Sequence, residues 1–501
     1  MSLSESTLKN VQLTGPFDSV RDYIIALEAR GRLLRIKEMD QDKYEATAFA
    51  YRLIDKFGLN EAPAFVIERV KIDGKWIEGP LFSNIYGGWI TEAMGCGVEE
   101  ITDDNIEMYR AAINKVIGLA DGNGELKRIK PNVTDRRNAP CKEVIIIGDD
   151  VDILQYPFLK VNPADGGRYI NMGAVVIEDP ELGRNVGTYR CQIKSAKKVS
   201  VNPEPGKHGW RQLMAARDRG ESSVKAAIIL GADPITWVMS CSRITGLGED
   251  EYELAGGLKG QPLELVKCET SDILVPASAE MIIEGEIPTN QREEEGPHGE
   301  MYGYLGSKRE RNFFMDIKAV THRESPWFLN VHTGVTAGYH RAAMEAHSYL
   351  KYKKTIPNLV AIHSLNEAMG ITIASIDKKL PSEGIAAGQQ IAASNRMVKV
   401  MIVVDKDVDV LNVPQVLHAV SSRWQPYPAT LIVRQALASG LEPSAPEHGL
   451  ISNIVIDATK QLPQEGGPAT WPAVSRDLLE EHCPEAFDLV DAKWAEYWKD
   501  F

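Results

Sequence analysis

The chain has 501 residues, 56 of them basic and 70 acidic, for a net charge of −14. This length is more than one hydrophobic core can organise, so about two or three domains are expected. The acidic balance argues against nucleic acid or an anionic membrane as a general partner, and an anionic ligand would need its own cationic pocket.

Six cysteines, Cys96, Cys141, Cys191, Cys241, Cys268 and Cys483, are scattered with no Cys-x-x-Cys pair. That spacing gives neither a disulfide framework nor a structural zinc site, and it suits a reducing compartment. The N-terminus shows no basic-then-apolar leader, and no apolar run approaches the ~20 residues of a membrane span. A cytoplasmic protein is expected.

Helical spacing of Val20, Ile24 and Leu27 predicts a helix over 17–30, stopped by Gly31. A strand at 33–36, a helix at 45–56, a strand at 65–70 and a helix at 104–119 follow, which makes residues 1–130 an N-terminal α/β domain. The basic, proline-containing stretch 127–142 reads as a linker. Short apolar runs at 144–147, 174–177, 226–230, 263–267, 282–286 and 314–320 then alternate with Gly, Pro and Asp clusters. Such spacing predicts a β-rich middle domain over 131–330, barrel or sandwich, interrupted by a helix near 209–219. Beyond residue 330, helices at 339–352 and 383–394 alternate with strands at 359–363, 371–376 and 398–404, giving a C-terminal α/β domain over 331–501. Its tail from residue 475 carries two short helices with Trp494, Tyr497, Trp498 and Phe501 near one side. That stripe suits docking on its own domain or, preferably, on a neighbouring subunit.

The stretch Glu-Gly-Pro-His-Gly-Glu at 295–300 holds two carboxylates on a segment of turn formers. A tight turn can aim Glu295 and Glu300 at one small volume. Acids sharing a volume cannot ionise independently, which moves one towards proton exchange near neutrality. The plainer reading is an acidic surface turn, because Glu293, Glu294 and Glu295 form a charge run.

Upstream, Asn185 and Arg190 sit in GRNVGTYRCQIKS. Strand alternation puts residues five apart on opposite faces, and a single bulge would bring them together. Arg190 lies between Tyr189 and Cys191, so its planar fork suits a partly buried carboxylate. His208 and Glu249 would complete, with Asn185, an oxygen and nitrogen set fit for Mn²⁺ or Mg²⁺. Glu251 is the substitute carboxylate if Glu249 is not the ligand. Lys378 and Lys379 precede a helix start and could meet a phosphate.

At these residues the sequence resembles the UbiD-like decarboxylases, which use prenylated flavin mononucleotide. The resemblance covers nearly the whole chain and is densest in DGGRYINMGAVVIEDPELGRNVGTYR, KCETSDILVPASAEMIIEGEI and EGPHGEMYGY. It implies an α/β (α+β) fold: an N-terminal α/β domain, a central split β-barrel that binds the flavin, and a C-terminal α/β domain for oligomerisation. It implies that Asn185, His208 and Glu249 hold a divalent ion, usually manganese, against the flavin phosphate. Arg190, Glu295 and Glu300 match the catalytic network, and Lys378 or Lys379 a phosphate loop. A potassium ion is expected against backbone carbonyls of 238–242, which include Met239 and Cys241, with Glu249 shared. His298 stands where relatives often carry an aromatic residue, and could add a titratable group.

The chemistry implied is loss of CO₂ from an sp² carbon, which needs an electron sink that side chains lack. Arg190 would orient the carboxylate and Glu295 return the proton, with Glu300 holding Arg190. The substrate is expected to be an aromatic, heteroaromatic or α,β-unsaturated acid. Small residues Gly334, Ala337 and Gly338 favour a bicyclic or larger ring, with 423–428 as a second specificity segment. A separate prenyltransferase would supply the cofactor, and a homodimer or larger homo-oligomer is expected. Two rival readings are a metal-dependent hydrolase with Glu295 as base and a non-catalytic flavin-binding subunit.

Overall fold

The first helix, Val20–Ala29, is capped by Ser19, whose hydroxyl accepts from Asp22 N, and it buries the predicted stripe of Val20, Ile24 and Leu27. The structure is a computed structural model that describes residues 11–446 and 449–499. Phe501 of the expected aromatic stripe lies outside them. Strands Leu33–Asp40, Ala64–Ile72 and Lys75–Ser83 form a sheet beside this helix, and helices Trp89–Gly95 and Asn105–Ile117 follow. The fourth strand of that sheet, Phe328–Asn330, comes from far along the chain and pairs parallel with Lys75–Ser83.

The stretch expected to be a linker is pinned instead. Ile129 N donates to Glu253 O, Asn132–Val133 pairs with Glu264–Lys267, and Lys142 is buried with its ammonium 2.9 Å from Glu284. Glu284 also accepts from the backbone of Glu269 and Thr270. The proline and basic residues here mark an ordered crossing of the domain surface.

The middle of the chain builds a ten-stranded antiparallel sheet. Its path runs through Tyr169–Ile170, Cys191–Ser195, Lys198–Val201, Arg309–His322, Met281–Pro288, Ser223–Leu230, Gly173–Asp179 and Gly183–Thr188, with Val144–Ile147 and Glu293–Glu295 pairing Arg309–His322 off that path. No ladder closes it into a barrel among the described residues. Yet the chain leaves the last strand at Thr188 and enters the second at Cys191. Three residues reach at most about 11 Å, little more than two strand spacings. The last and second strands of the path therefore approach each other at one end across a narrow seam. Tyr189 and Arg190 are the residues that bridge it.

The C-terminal sheet has five strands in the order Leu359–Ser364, Ile371–Ile376, Val400–Asp405, Leu450–Asp457, Thr430–Leu437. Helix Glu383–Ser394 packs on it, and helix Ala342–Lys353 turns back against Asn105–Ile117. The tail helices Ser475–His482, Glu485–Asp491 and Trp494–Tyr497 bury none of their residues. Leu489, Trp494 and Tyr497 are each more than half exposed there.

The Lys142–Glu284 pair is the test of how the crossing segment is held. Both side chains are fully buried, so Lys142→Met strands the Glu284 carboxylate. A loss of about 3–5 kcal/mol is expected, read as a lowered denaturant midpoint of the central domain.

Candidate active site

Arg190 occupies the seam, where the strand breaks between Thr188 and Cys191. This is an interruption between two strands, not the bulge expected from the sequence. Arg190 Nε and Nη2 donate to Glu295 Oε1 and Oε2 at 3.0 and 2.8 Å, a side-on bidentate pair. Arg190 Nη1 donates to Glu300. Three of the five guanidinium N–H groups are thus engaged, leaving one on each terminal nitrogen.

The acidic run divides by direction. Glu293 pairs with Lys198 and Glu294 with Lys308 on the surface, while Glu295 is fully buried. Gly296 follows at φ +85°, a conformation that favours glycine, and reverses the chain at once. Gly296 N is held by Gln192 Oε1 and Gly299 N by Asp165 Oδ1, so the turn is fixed at both ends. Tyr169 donates its hydroxyl to Glu295 Oε1 at 3.0 Å, and Asn312 Nδ2 reaches Oε2 at 3.4 Å. Burial raises the Glu300 carboxyl above its ordinary range, against the lowering pull of Arg190. Tyr169, within the stretch DGGRYINMG, was given no role in the sequence reading, and Asn312 lies in no motif.

His298 does not add a titratable group. Burial, helped by the Arg190 charge, pushes its imidazole down to about 3, so the ring is neutral at any working pH. It lies against Tyr169, ring centres 4.3 Å apart.

On the other side of the seam Asn185 is buried, and its Nδ2 lies 3.3 Å from the Tyr189 hydroxyl. The same hydroxyl accepts from Gly209 N, which brings the start of helix His208–Asp218 to Asn185. Glu249 pairs with Arg128 at 2.9 Å and accepts from Gly246 N, close enough for its charge to act on His208. The acid that bonds the Asn185 strand is Glu251, in the first turn of a helix capped by Asp250. Glu251 Oε2 accepts from Val186 N at 2.9 Å, and Oε1 from Thr245. Burial pushes its carboxyl up to about 7. The signal for choosing it lay in the Asp-Glu-Tyr-Glu-Leu spacing, where an N-cap aspartate aims the next residue inward.

Among the described residues no three His, Cys, Asp or Glu side chains are grouped as a metal cage. A cation at Asn185, His208 and Glu251 would draw on one amide, one imidazole and one carboxylate, a set that needs further oxygens from its ligand. Met239 and Cys241 lie in helix Pro234–Cys241, where Ser242 N takes the carbonyls of Val238 and Met239. Cys241 Sγ meets Thr188 Oγ1 at 3.2 Å, and burial pushes its thiol up to about 12.

Lys378 is buried within the C-terminal domain, bonded to Glu465 at 2.7 Å and to Thr459 at 2.9 Å. Lys379 pairs with Asp377. The cation that the C-terminal domain sends to this region is Arg396. Burial, then Arg243 and Arg396, depress the Lys207 ammonium to about 8. None of Lys207, Arg243 and Arg396 has a carboxylate within 4 Å among the described residues, although the Glu204 charge acts on Lys207 against the two arginines. In a chain of net charge −14 these three unpaired cations stand out from the acidic background. The expected specificity residues read differently: a Cβ on Gly334 would lie 2.5 Å from Glu300 O, so backbone packing sets its size, and Arg423 is locked to Asp405 and Asp407.

The fold with this site is that of a carboxy-lyase. A family model described as the 3-octaprenyl-4-hydroxybenzoate carboxy-lyase Rift-related domain matches residues 132–336, and the model of the C-terminal domain of the same enzyme matches residues 339–458. More narrowly, the chain belongs to the UbiD family. A Sedimentibacter hydroxybenzoicus protein named phenolic acid decarboxylase is 29% identical over 477 residues, 90% of this chain and 93% of its own. The solved vanillic acid decarboxylase of that organism, in closed form, superposes with a TM-score of 0.80 at 27% identity, covering 95% of this chain and all of its own. The UbiD-class enzyme HmfF of Pelotomaculum thermopropionicum, solved in complex with prFMN, gives a TM-score of 0.75 at 26% identity over 92% of this chain and 97% of its own.

The two acids near Asn185 can be separated by substitution. Where a divalent cation is held beside Asn185, Glu251→Gln should lower its content several-fold and Glu249→Gln should leave it unchanged, as measured by elemental analysis.

Proposed function

We propose that this chain removes CO₂ reversibly from an aromatic carboxylic acid with prenylated flavin mononucleotide as cofactor. The observation that carries the proposal is the Arg190 guanidinium, buried in the barrel seam between Glu295 and Glu300 with two N–H groups unengaged. Relatives named phenolic acid decarboxylase and a neighbour solved with prFMN support the same reading. The residues fit the cofactor: Lys207, Arg243 and Arg396 would hold its phosphate, and Asn185, His208 and Glu251 a divalent cation such as Mn²⁺ against it. A K⁺ ion near residues 238–242 is part of the proposal.

When bound, the prenylated flavin supplies the electron sink that decarboxylation of an sp² carbon requires. The chain's own residues do the rest. Arg190 orients the substrate carboxylate through its remaining N–H pair. Glu295 exchanges a proton at the substrate carbon, and hydrogen bonds from Tyr169 to Oε1 and from Asn312 to Oε2 hold its carboxylate in place. Glu300 holds Arg190 from the opposite side. Burial of this network excludes water that would compete as proton source.

The substrate proposed is an aromatic or heteroaromatic acid. A bicyclic or larger ring rests on the small side chains of Ala337 and Gly338 alone, because Gly334 faces backbone. The cofactor would come from a separate flavin prenyltransferase. The exposed apolar side chains of the tail helices favour docking on a second copy of the chain.

Glu295→Gln keeps the shape and removes the proton. Decarboxylation should fall by about 10²-fold or more, the usual worth of a general acid, with flavin content retained. Turnover near that of the parent protein would rule Glu295 out as proton donor. Arg190→Lys keeps the charge and loses the fork, and should abolish most activity while the cation stays bound.

Reconstitution tests the cofactor itself. Apo-protein with prenylated flavin, Mn²⁺ and K⁺ should release CO₂ from aromatic acids. The same protein with plain flavin mononucleotide should not, and equal rates in both would sink the proposal.

A further inference from the structure

The two acids that flank Arg190 are seated by different means. Around Glu295 the main chain itself is gripped. Asp165 Oδ1 accepts from Gly299 N at 3.0 Å, Gly166 N donates to Pro297 O at 2.7 Å, and Gln192 Oε1 accepts from Gly296 N at 3.1 Å. A Cβ on Gly166 would lie 2.3 Å from Gly296 O, so two stretches of backbone touch there. With Tyr169, Asn312 and Arg190 on its carboxylate as well, Glu295 is held at both ends.

Glu300 has fewer ties. Its backbone closes a short loop, Glu300 N donating to Tyr304 O at 2.8 Å and Gly303 N to Glu300 O at 2.9 Å. Among the described residues its carboxylate bonds to Arg190 alone. Beside that side chain lies Gly306, in the short strand pair of His298–Gly299 with Leu305–Gly306. A Cβ on Gly306 would stand 2.8 Å from both Glu300 Cγ and Glu300 Oε1, and 3.1 Å from His298 O. Non-bonded carbon atoms rest about 3.5–4.0 Å apart. The Glu300 side chain and a side chain at 306 therefore cannot share this place. The contact with His298 O asks for a small backbone adjustment, whereas the flexible end of Glu300 is free to swing away.

Conformation does not call for this glycine. Gly296, Gly303 and Gly334 close by hold φ of +85°, +77° and +77°, which favours glycine, but Gly306 is not in that region. Nor does a packed core press on it, since Gly306 is only half-buried. The space that its missing side chain leaves is filled by one acid. We propose that Gly306 is a positioning residue for the reaction: the bare backbone there lets Glu300 reach Arg190, and a side chain at 306 would lift Glu300 off the guanidinium while Glu295 keeps its place. The two acids become separable by a change that removes neither. The effect on turnover rests on the decarboxylase reading, and the seat of Glu300 rests on geometry alone.

The first test is a crystal structure of Gly306→Ala holoenzyme. The Glu300 carboxylate should lie beyond hydrogen-bond reach of Arg190 Nη1, with the Arg190–Glu295 pair intact. Decarboxylation of an aromatic acid by the same variant should show kcat lowered by about 10- to 100-fold, the scale of a misplaced orienting group. Flavin content and the unfolding midpoint should stay at the parent's values. A double-variant cycle then separates positioning from a general disturbance. In Glu300→Ala no carboxylate stands in the way, so adding Gly306→Ala should lower kcat no further. Glu300 still on Arg190 in the variant structure, a parental kcat in Gly306→Ala, or losses that multiply in full in the double variant would each overturn the inference. Failure of the decarboxylase reading shows separately, as no CO₂ released by the parent holoenzyme from any aromatic acid, and the variant structure then decides the seat of Glu300 by itself.

Discussion

One guanidinium organises the centre of this protein. Arg190 stands where the barrel sheet fails to close, and its charge is compensated by two carboxylates that approach from one turn. Removing water from three charged groups is costly unless each is paired and hydrogen-bonded. Tyr169, Asn312 and Gln192 meet that condition around Glu295 and its turn. The rest of the central domain can be read as the scaffold that keeps these groups in register. The seam supplies the position, the Gly296 turn supplies the acids, and the neighbouring strands supply the supporting dipoles.

Charge is distributed with the same economy. The chain is acidic overall, yet among the described residues Lys207, Arg243 and Arg396 form no ion pair, and they come from separate parts of the sequence. Lys207 precedes a helix of the central domain, Arg243 follows another, and Arg396 belongs to the C-terminal domain. An anion held there would therefore touch both domains at once. The buried cations that do have partners, such as Lys378 with Glu465 or Lys142 with Glu284, act as internal ties. Sequence position near a helix start could not separate the two roles. Lys378 looked like the phosphate binder because its loop precedes a helix, but its ammonium points into its own domain.

Helix Glu383–Ser394 and strand Ile371–Ile376 emerged with the bounds expected, the helix because one face is buried and the strand because it is a short run buried on both faces. The strands Gly183–Thr188 and Cys191–Ser195 carry glycine, arginine and lysine and gave no such signal, although they frame the site. The site followed the same division. Arg190, Glu295 and Glu300 sit in motifs with fixed spacing, and the structure brings them together. Glu249 and Glu251 are two residues apart in an acidic run, and only helix capping by Asp250 decides which one turns inward. Tyr169 and Asn312 reach Glu295 across the fold, and a single sequence does not record which distant residues meet.

The strand Phe328–Asn330 has a consequence for how such a protein can change over time. The N-terminal α/β unit borrows its fourth strand from a segment more than two hundred residues downstream, after the whole barrel has been built. Cut from the gene as a module, residues 1–130 would lack that strand and would display Lys75–Ser83 as a bare edge open to other chains. Recombination could not trade this unit between proteins without carrying the barrel along. The architecture is inherited whole, and novelty in such a lineage has to arise by point changes around the seam.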